Sequence, residues 1–360
     1  MKEEIYEGWL KSVLRVHFDP EGGTPYWLEK ARQRGISPLD EIRSLKDLVL
    51  FGPMDEEALK DRPIEDFVPR SYWARKSEWV TGETGGTTGH PITTVYLEEE
   101  FHQAFIDPFE VVARYRNFPK GQNWLWVGPS GPHIIGTAAI ACARALGSPY
   151  PFAVDFDPRW VKKLSPLSIG FKRYLDHILE QSLRIVETQV VRVLFSTPKI
   201  LCELKNLMSR KHREAILGIH FGGMELDRDL FQTIAEAFPN AILISGYGNT
   251  LFGMCPEFQG DPRVPLDYYP LGPRLIFQTV PLNPDMTAEE KLRNPCAVGE
   301  CGQIVFSRLD RSSLILNHFE RDQGELISPP DFLEGFGLGI RNPHTSMTKE
   351  GEANVASGLY

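Results

Sequence analysis

Between residues 123 and 250, short apolar runs ending in glycine or proline turns alternate with longer stretches of helical character, and no other feature limits the possible folds as tightly. NWLWVGP reads as a buried strand closing in the turn PSGPH, and IIGTAAIACARALG as a helix packed against it. RVLFSTPKILCELKNLMSR repeats strand, turn and helix. AILGIHFGGMELDRDLFQTIAEAF repeats the plan again, and NAILISGYGNT adds a further strand with a glycine turn. Strands joined through helices build a mainly parallel sheet, so the class is α/β. In open sheets of that kind, ligands bind at the turns beyond the carboxyl ends of the strands.

The flanks have a different character. Residues 1–80 form a leading region of helices and loops: Tyr26 to Gln33 has the composition of a short helix, SPLDEIRSLKDL offers caps and amphipathic spacing, and Pro53, Pro63 and Pro69 punctuate the rest. In VYLEEEFHQAFIDPFEVVARY, Leu97, Phe101 and Phe105 share one helix face, and the EEE run reads as a solvated face. From about Pro265 shorter strands follow, RLIFQTV and CGQIVFSRL, joined by a helix whose Thr287 and Glu290 have capping-box spacing. The expected division is residues 1–80, an α/β core with nucleotide-binding turns at 81–264, a mixed β subdomain at 265–341, and a tail at 342–360.

A formal charge of −9 repels phosphate backbones and anionic lipid, so neither nucleic acid nor membrane is an expected partner. The start, MKEEIYEGWLKSVL, lacks the pattern of a secretory leader, and a cytoplasmic location is expected. Five cysteines, mostly far apart, do not form a disulfide framework and read as reduced thiols. Cys296 and Cys301 flank AVGE without the paired spacing of a zinc site, and His318 adds no ligand spacing.

TGETGGTTGHPI, residues 81–92, concentrates glycines and threonines. The spacing fits neither GxxxxGK(S/T) nor GxGxxG. It leaves a loop of backbone N–H groups with the hydroxyls of Thr84, Thr87 and Thr88, apt for following a polyphosphate as it reacts. A polar surface loop is the plainer alternative.

GGTTGHP resembles the (S/T)SGTTGxP phosphate loop of the adenylate-forming superfamily of acyl-CoA synthetases and phenylacetate-CoA ligases. FGGMEL at 221–226 is similar to that family's GGExL turn, SGYGNT at 245–250 to its YGxT turn, and NHFERDQGEL at 317–326 to the segment that holds the ribose. SLKDLVLFGPMDEEALKD is similar to the phenylacetate-CoA ligase lead-in. The four motifs fall in family order. The resemblance implies the large N-terminal domain of the adenylate-forming fold, two αβ sheet subdomains plus a small β-barrel-like subdomain.

It also implies a site. Thr84, Gly85, Gly86, Thr87, Thr88, Gly89 and His90 would contact the β- and γ-phosphates of ATP, with Thr88, Thr250 and His133 catalytic. Gly222, Gly223, Met224, Gly246, Tyr247 and Gly248 would line adenine. Asp322, reached through a one-residue deletion, would hold the ribose, with Asp310 the alternative in another register. Arg341 would stand at the hinge beside the nucleotide, and His133, Phe221, Gly222 and Phe252 would line an acyl pocket. ATP and Mg²⁺ are the implied cofactors, with AMP or acyl-AMP as bound product. Taken alone, Tyr247 reads equally as a core tyrosine and His133 as a turn histidine.

The departures are specific. Where the family carries a magnesium-binding glutamate this sequence has Leu251, and Glu257 is the nearest substitute. His90 stands where phenylacetate-CoA ligases carry lysine, and the sequence given stops near the hinge, short of the family's lid. Lidless members are therefore the guide. One type, from phenazine antibiotic biosynthesis, implies activation of an aromatic carboxylate for a reductase partner. The acyl-protein synthetases of bacterial luminescence imply transfer through a cysteine, here Cys255, to a reductase or other acyl-acceptor protein, although with no histidine base beside it an unreactive packed thiol is the favoured reading of Cys255. A nucleotide-binding scaffold without turnover is the third reading, and a face left open by a missing lid invites pairing with a second copy. If the loop grips ATP, Thr87→Val combined with Thr88→Val abolishes ATP binding in calorimetry; retained affinity would make the motif decorative.

Overall fold

The computed structural model describes residues 2–85, 90–165, 167–224 and 226–345. Strands β1 (Trp79–Glu83), β2 (Thr93–Leu97), β3 (Asn123–Gly128), β4 (Phe152–Asp155), β5 (Val191–Ser196), β6 (Gly218–Phe221), β7 (Ile242–Asn249), β8 (Gly253–Pro256), β9 (Asp267–Tyr268), β10 (Leu275–Val280), β11 (Cys301–Leu309), β12 (Leu314–Ile327) and β13 (Gly339–Thr345) occur among them. They divide between two compact units. One is Ala104–Tyr268; the other takes in the chain through Thr84, the β2 region up to Gln103, and residues Tyr269 to Thr345.

Ala104–Tyr268 holds a sheet in the order β4-β3-β5-β6-β7-β8, parallel except for β8. Both strand faces are apolar, as a doubly covered parallel sheet requires: Trp124, Leu125, Trp126, Val127, Val193, Leu194 and Phe195 are all buried. Helices Ile134–Ala145, Pro198–Leu207 and Arg228–Ala237 follow β3, β5 and β6, as the sequence predicts. Strand β4 and the helix Ile169–Thr188 stand outside that expectation. Because β3 neighbours both β4 and β5, the strand order reverses between β3 and β5.

The other unit joins two regions that the sequence analysis separates at residues 80 and 265. Side-chain bonds to β11 and β12 are the reason. Trp9 donates to Leu309 O at 2.8 Å, Trp27 to Leu314 O at 2.8 Å, and the Asn317 amide to Leu48 O and Gly52 O at 2.8 and 2.9 Å. Strands β10 to β13 are antiparallel neighbours in that order. The helix Ala288–Arg293 carries the expected capping box of Thr287 and Glu290. β1 and β2 form a two-stranded ribbon.

The EEE run is a correction. Glu98 and Glu99 are exposed, but Glu100 is buried and its carboxylate accepts the backbone N–H groups of Arg311 and Ser312 at 2.6 and 3.0 Å. Burial pushes its pKa up, and the charge of Asp310 adds to that. The cysteines are free thiols, and among the described residues no cluster of three His, Cys, Asp or Glu side chains could hold a metal ion. No described helix is long and apolar enough to cross a membrane.

His318, set aside as a metal ligand, stacks on Phe306 with ring centroids 4.9 Å apart, and neither ring nitrogen has a hydrogen bond of good geometry among the described residues. Burial holds its pKa down at about 4, against an ordinary value near 6.5. The unfolded chain therefore takes up this proton first, and the neutral ring stabilises the fold above about pH 6.5 but progressively less as pH falls toward 4. At about 1.4 kcal/mol per pKa unit the loss at pH 4 is of order 3 kcal/mol. His318→Phe should shift the acid unfolding midpoint to lower pH in a denaturation series; an unchanged midpoint would contradict this account.

Candidate functional site

At the carboxyl end of β3, beside the reversal of strand order, the chain turns through Pro129–Pro132 into the helix Ile134–Ala145. His133 is the buried residue preceding the first turn of that helix. The Ser130 N–H donates to the Asp155 carboxylate at 2.7 Å, which ties the ends of β3 and β4 together. Across the reversal, Thr197 caps the helix after β5. His133 thus stands where a ligand at the switch point would meet the sheet.

The end of β6 separates two residues expected to act together. Phe221 is fully buried, with its ring 5.6 Å from Phe231 of the following helix, and packs in the core instead of lining a pocket. Gly222 is half-buried, and a methyl group there would lie 3.0 Å from Gly246 O. Glycine at 222 is what lets the β6 turn approach β7. Gly223, at φ +81°, is exposed, and Met224 is half-buried.

SGYGNT forms one arm of a hairpin, with β7 continuing through Asn249 and returning antiparallel as β8. Gly246 faces Pro256, Tyr247 faces Cys255, Gly248 faces Met254 and Asn249 faces Gly253. The Asn249 side-chain oxygen accepts the N–H groups of Leu251 and Phe252 at 2.8 and 3.2 Å, which closes the tip. Gly248 admits no side chain, since a methyl group would come within 2.0 Å of Gly253 O. Tyr247 is half-buried, its ring 5.9 Å from Tyr268 and 5.8 Å from Phe252. The Tyr268 hydroxyl bonds Ser245 Oγ at 2.7 Å, fixing the ring that supports Tyr247.

Two expected roles here need correction, those of Phe252 and Glu257, whereas Cys255 sits as the favoured reading of a packed thiol has it. Phe252 is fully buried and belongs to the core. Cys255 is fully buried in β8, which leaves its sulfur no access for acyl transfer. Glu257, the substitute metal ligand, is buried, and its two carboxylate oxygens accept the N–H groups of Gln259 and of Gly260, the latter at 2.7 Å. Burial raises its pKa. With buried Leu251 at the family's glutamate position, these residues do not fit a protein-held magnesium ion.

In the other unit, the β1–β2 ribbon carries the Gly/Thr loop at its tip. Thr84 N–H donates to Ile92 O at 2.9 Å, and Ile92 N–H donates to Thr84 Oγ1 at 2.9 Å, so the loop is pinched shut at its base. Gly85 is half-buried and His90 exposed; Gly86, Thr87, Thr88 and Gly89 lie outside the described residues. Asp322 lies on β12 and accepts from Thr345 Oγ1 at 3.1 Å. Arg341 faces Glu325 across the β12–β13 pair, 3.6 Å from its carboxylate.

Asp310 has another role. It is fully buried, bound by Arg274 at 2.9 and 2.7 Å and by Arg308 at 2.5 Å, so its carboxylate is occupied within the fold and is not a ribose acceptor. Burial alone would raise its pKa; the two guanidinium groups outweigh that and hold it below the usual range.

No protein-family model matches the sequence, and no curated protein matches it. Solved structures do match. An open form of 2-hydroxyisobutyryl-CoA ligase with 2-HIB-AMP and CoA is similar with a TM-score of 0.66 at 15% identity, over 95% of this chain and 73% of that one. The same ligase in its thioesterification state gives 0.62 at 15% identity, over 94% and 66%. Its postadenylation complex with 2-HIB-AMP gives 0.64 at 15% identity, over 96% and 68%. The fold is that of the adenylate-forming enzymes. This chain spans about two thirds to three quarters of those ligases' length.

Within this adenylate-forming fold, sequence reasoning passes over Asn249 and the Arg308–Asp310 pair. An asparagine two residues before paired backbone donors is a turn signal available in GYGNTLF. Arg308 and Asp310, two apart at the end of a strand, have the spacing of one sheet face, a pattern visible in SRLDR. Gly248→Ala should destabilise the fold by about 1–3 kcal/mol in denaturant titration, the cost of overpacking, and perturb the near-ultraviolet tyrosine signal. Wild-type stability would show that the hairpin accommodates the methyl group.

Proposed function

We propose that the protein binds ATP and activates a carboxylate as acyl-AMP. The observation that carries this is the β7–β8 hairpin: Gly246 and Gly248 leave Tyr247 half-exposed beside the glycine turn of β6, in a fold shared with a ligase whose structures hold an acyl-AMP. A flat ring at a strand end that side chains cannot crowd offers adenine a stacking surface.

In the proposed reaction a carboxylate oxygen attacks the α-phosphorus of ATP, the bond from that phosphorus to pyrophosphate breaks, and acyl-AMP and pyrophosphate form. Catalysis of this kind is mainly positioning and charge stabilisation. The loop Thr84–His90 takes the β- and γ-phosphates, Thr250 the α-phosphate, and Asp322 the ribose hydroxyls as an ionised acceptor. His133 orients the acyl group, and Arg341 belongs to the nucleotide end. An aromatic acid, the class implied by the resemblance to the lidless phenazine-pathway type, is the proposed substrate, and a reductase or acyl-acceptor protein the consumer of the acyl-AMP. With Phe221 and Phe252 in the core, aromatic character of the pocket does not support that choice; it rests on the resemblance. The thiolester route through Cys255 is disfavoured by that residue's burial.

Carboxylate-dependent exchange of labelled pyrophosphate into ATP, run across aromatic, aliphatic and hydroxy acids, tests this. Exchange with at least one acid is expected; none at high enzyme concentration would leave a nucleotide-binding scaffold at most.

A further inference from the structure

We infer that Arg308, more than two hundred residues from the Gly/Thr loop in sequence, is a positioning residue for that loop, acting through the β1–β2 ribbon. The inference rests on the ATP-binding reading for its consequence, but not for its geometry.

A two-stranded ribbon is marginal in water by itself, so something must fix it. The register shows how. Thr84 and Ile92 are joined by a backbone bond, so the pairs two and four residues further, Gly82 with Thr94 and Val80 with Tyr96, are the bonded ones. Val95, in a non-bonded pair with Thr81, turns its C=O to the open edge of β2. Arg308 takes that carbonyl at 2.7 Å through Nη2 and Thr94 Oγ1 at 3.0 Å through Nη1, while its guanidinium carbon lies 3.5 Å from the centroid of the Tyr96 ring. Thr94 and Tyr96 share one face of β2, so one planar group grips that face and the edge together. Its Nε donates to Asp310. Arg308 is fully buried, so these bonds are shielded from water and hold one geometry.

Loosening this grip should free the ribbon, and with it the Thr84–Ile92 base of the loop, without touching reacting atoms. Thr94→Val removes one acceptor and keeps shape, Thr94→Ser restores it, and Arg308→Lys keeps charge but loses the planar fork. Hydrogen exchange on the ligand-free protein is the first readout. Thr94→Val should speed exchange at residues 80–84 and 92–96 by tenfold or more and leave β10–β12 unchanged, with Thr94→Ser within threefold of wild type. In carboxylate-dependent pyrophosphate exchange, Thr94→Val should raise the KM for ATP about tenfold with kcat within threefold. Unaltered ribbon exchange in both Thr94→Val and Arg308→Lys overturns the inference, as does a fall in kcat at constant KM. A wild-type protein without pyrophosphate exchange refutes the functional reading alone, because the hydrogen-exchange result still decides the role of Arg308. Should Arg308→Lys fail to fold, the threonine pair decides it.

Discussion

Asp310 holds two guanidinium groups out of water, and one unit of the protein is organised around that arrangement. Arg274 and Arg308 both bind its carboxylate, and His17 bonds its backbone oxygen at 2.8 Å while reaching Thr24 with the other ring nitrogen. Desolvating three charges is expensive, and a buried network of this kind adds little net stability compared with apolar packing. Removing one partner is different, since the stranded charge costs about 3–5 kcal/mol. What the network contributes is a fixed geometry. The end of the helix Lys2–His17, the end of β11 and the β1–β2 ribbon meet at one set of hydrogen bonds with few alternative arrangements.

In the proposed reaction that constraint would act through the ribbon. A loop of glycines and threonines can offer many weak donors to a polyphosphate, but only if its ends are held. The Thr84–Ile92 bonds close its base, and Arg308 fixes the strand that follows. The α/β unit solves the same problem with glycine. Close approach of Gly222 to Gly246, and of Gly248 to Gly253, makes the Tyr247 hairpin without side chains that would fill the space beside it. One unit uses a buried charge to fix the ribbon that flanks the Gly/Thr loop; the other uses missing side chains to expose a ring.

The architecture was legible in the sequence because it rests on periodicity. NWLWVG, RVLFS and GIHF are each short, apolar and followed by helical spacing, and they became β3, β5 and β6. Edge elements were less legible: β4 is the four residues FAVD, and β8 is four residues ending in proline, too short for alternation to register. The glycine turns were found by motif. The character of their neighbours was not, because an aromatic run such as HF or LF looks the same whether it lines a pocket or fills a core. Phe221 and Phe252 are core, and Glu100, hidden in an acidic run, is buried for its backbone bonds. Charged side chains that bond backbone or hydroxyl groups two hundred positions away leave no local trace.

The hairpin around Tyr247 is proposed as part of a nucleotide site of this chain. Photolabelling with 8-azido-ATP, followed by mass mapping of the modified peptides, tests it most directly. The account predicts labelling concentrated between residues 242 and 256 and suppressed by excess ATP. Label spread over peptides elsewhere, or undiminished by competing ATP, would contradict it.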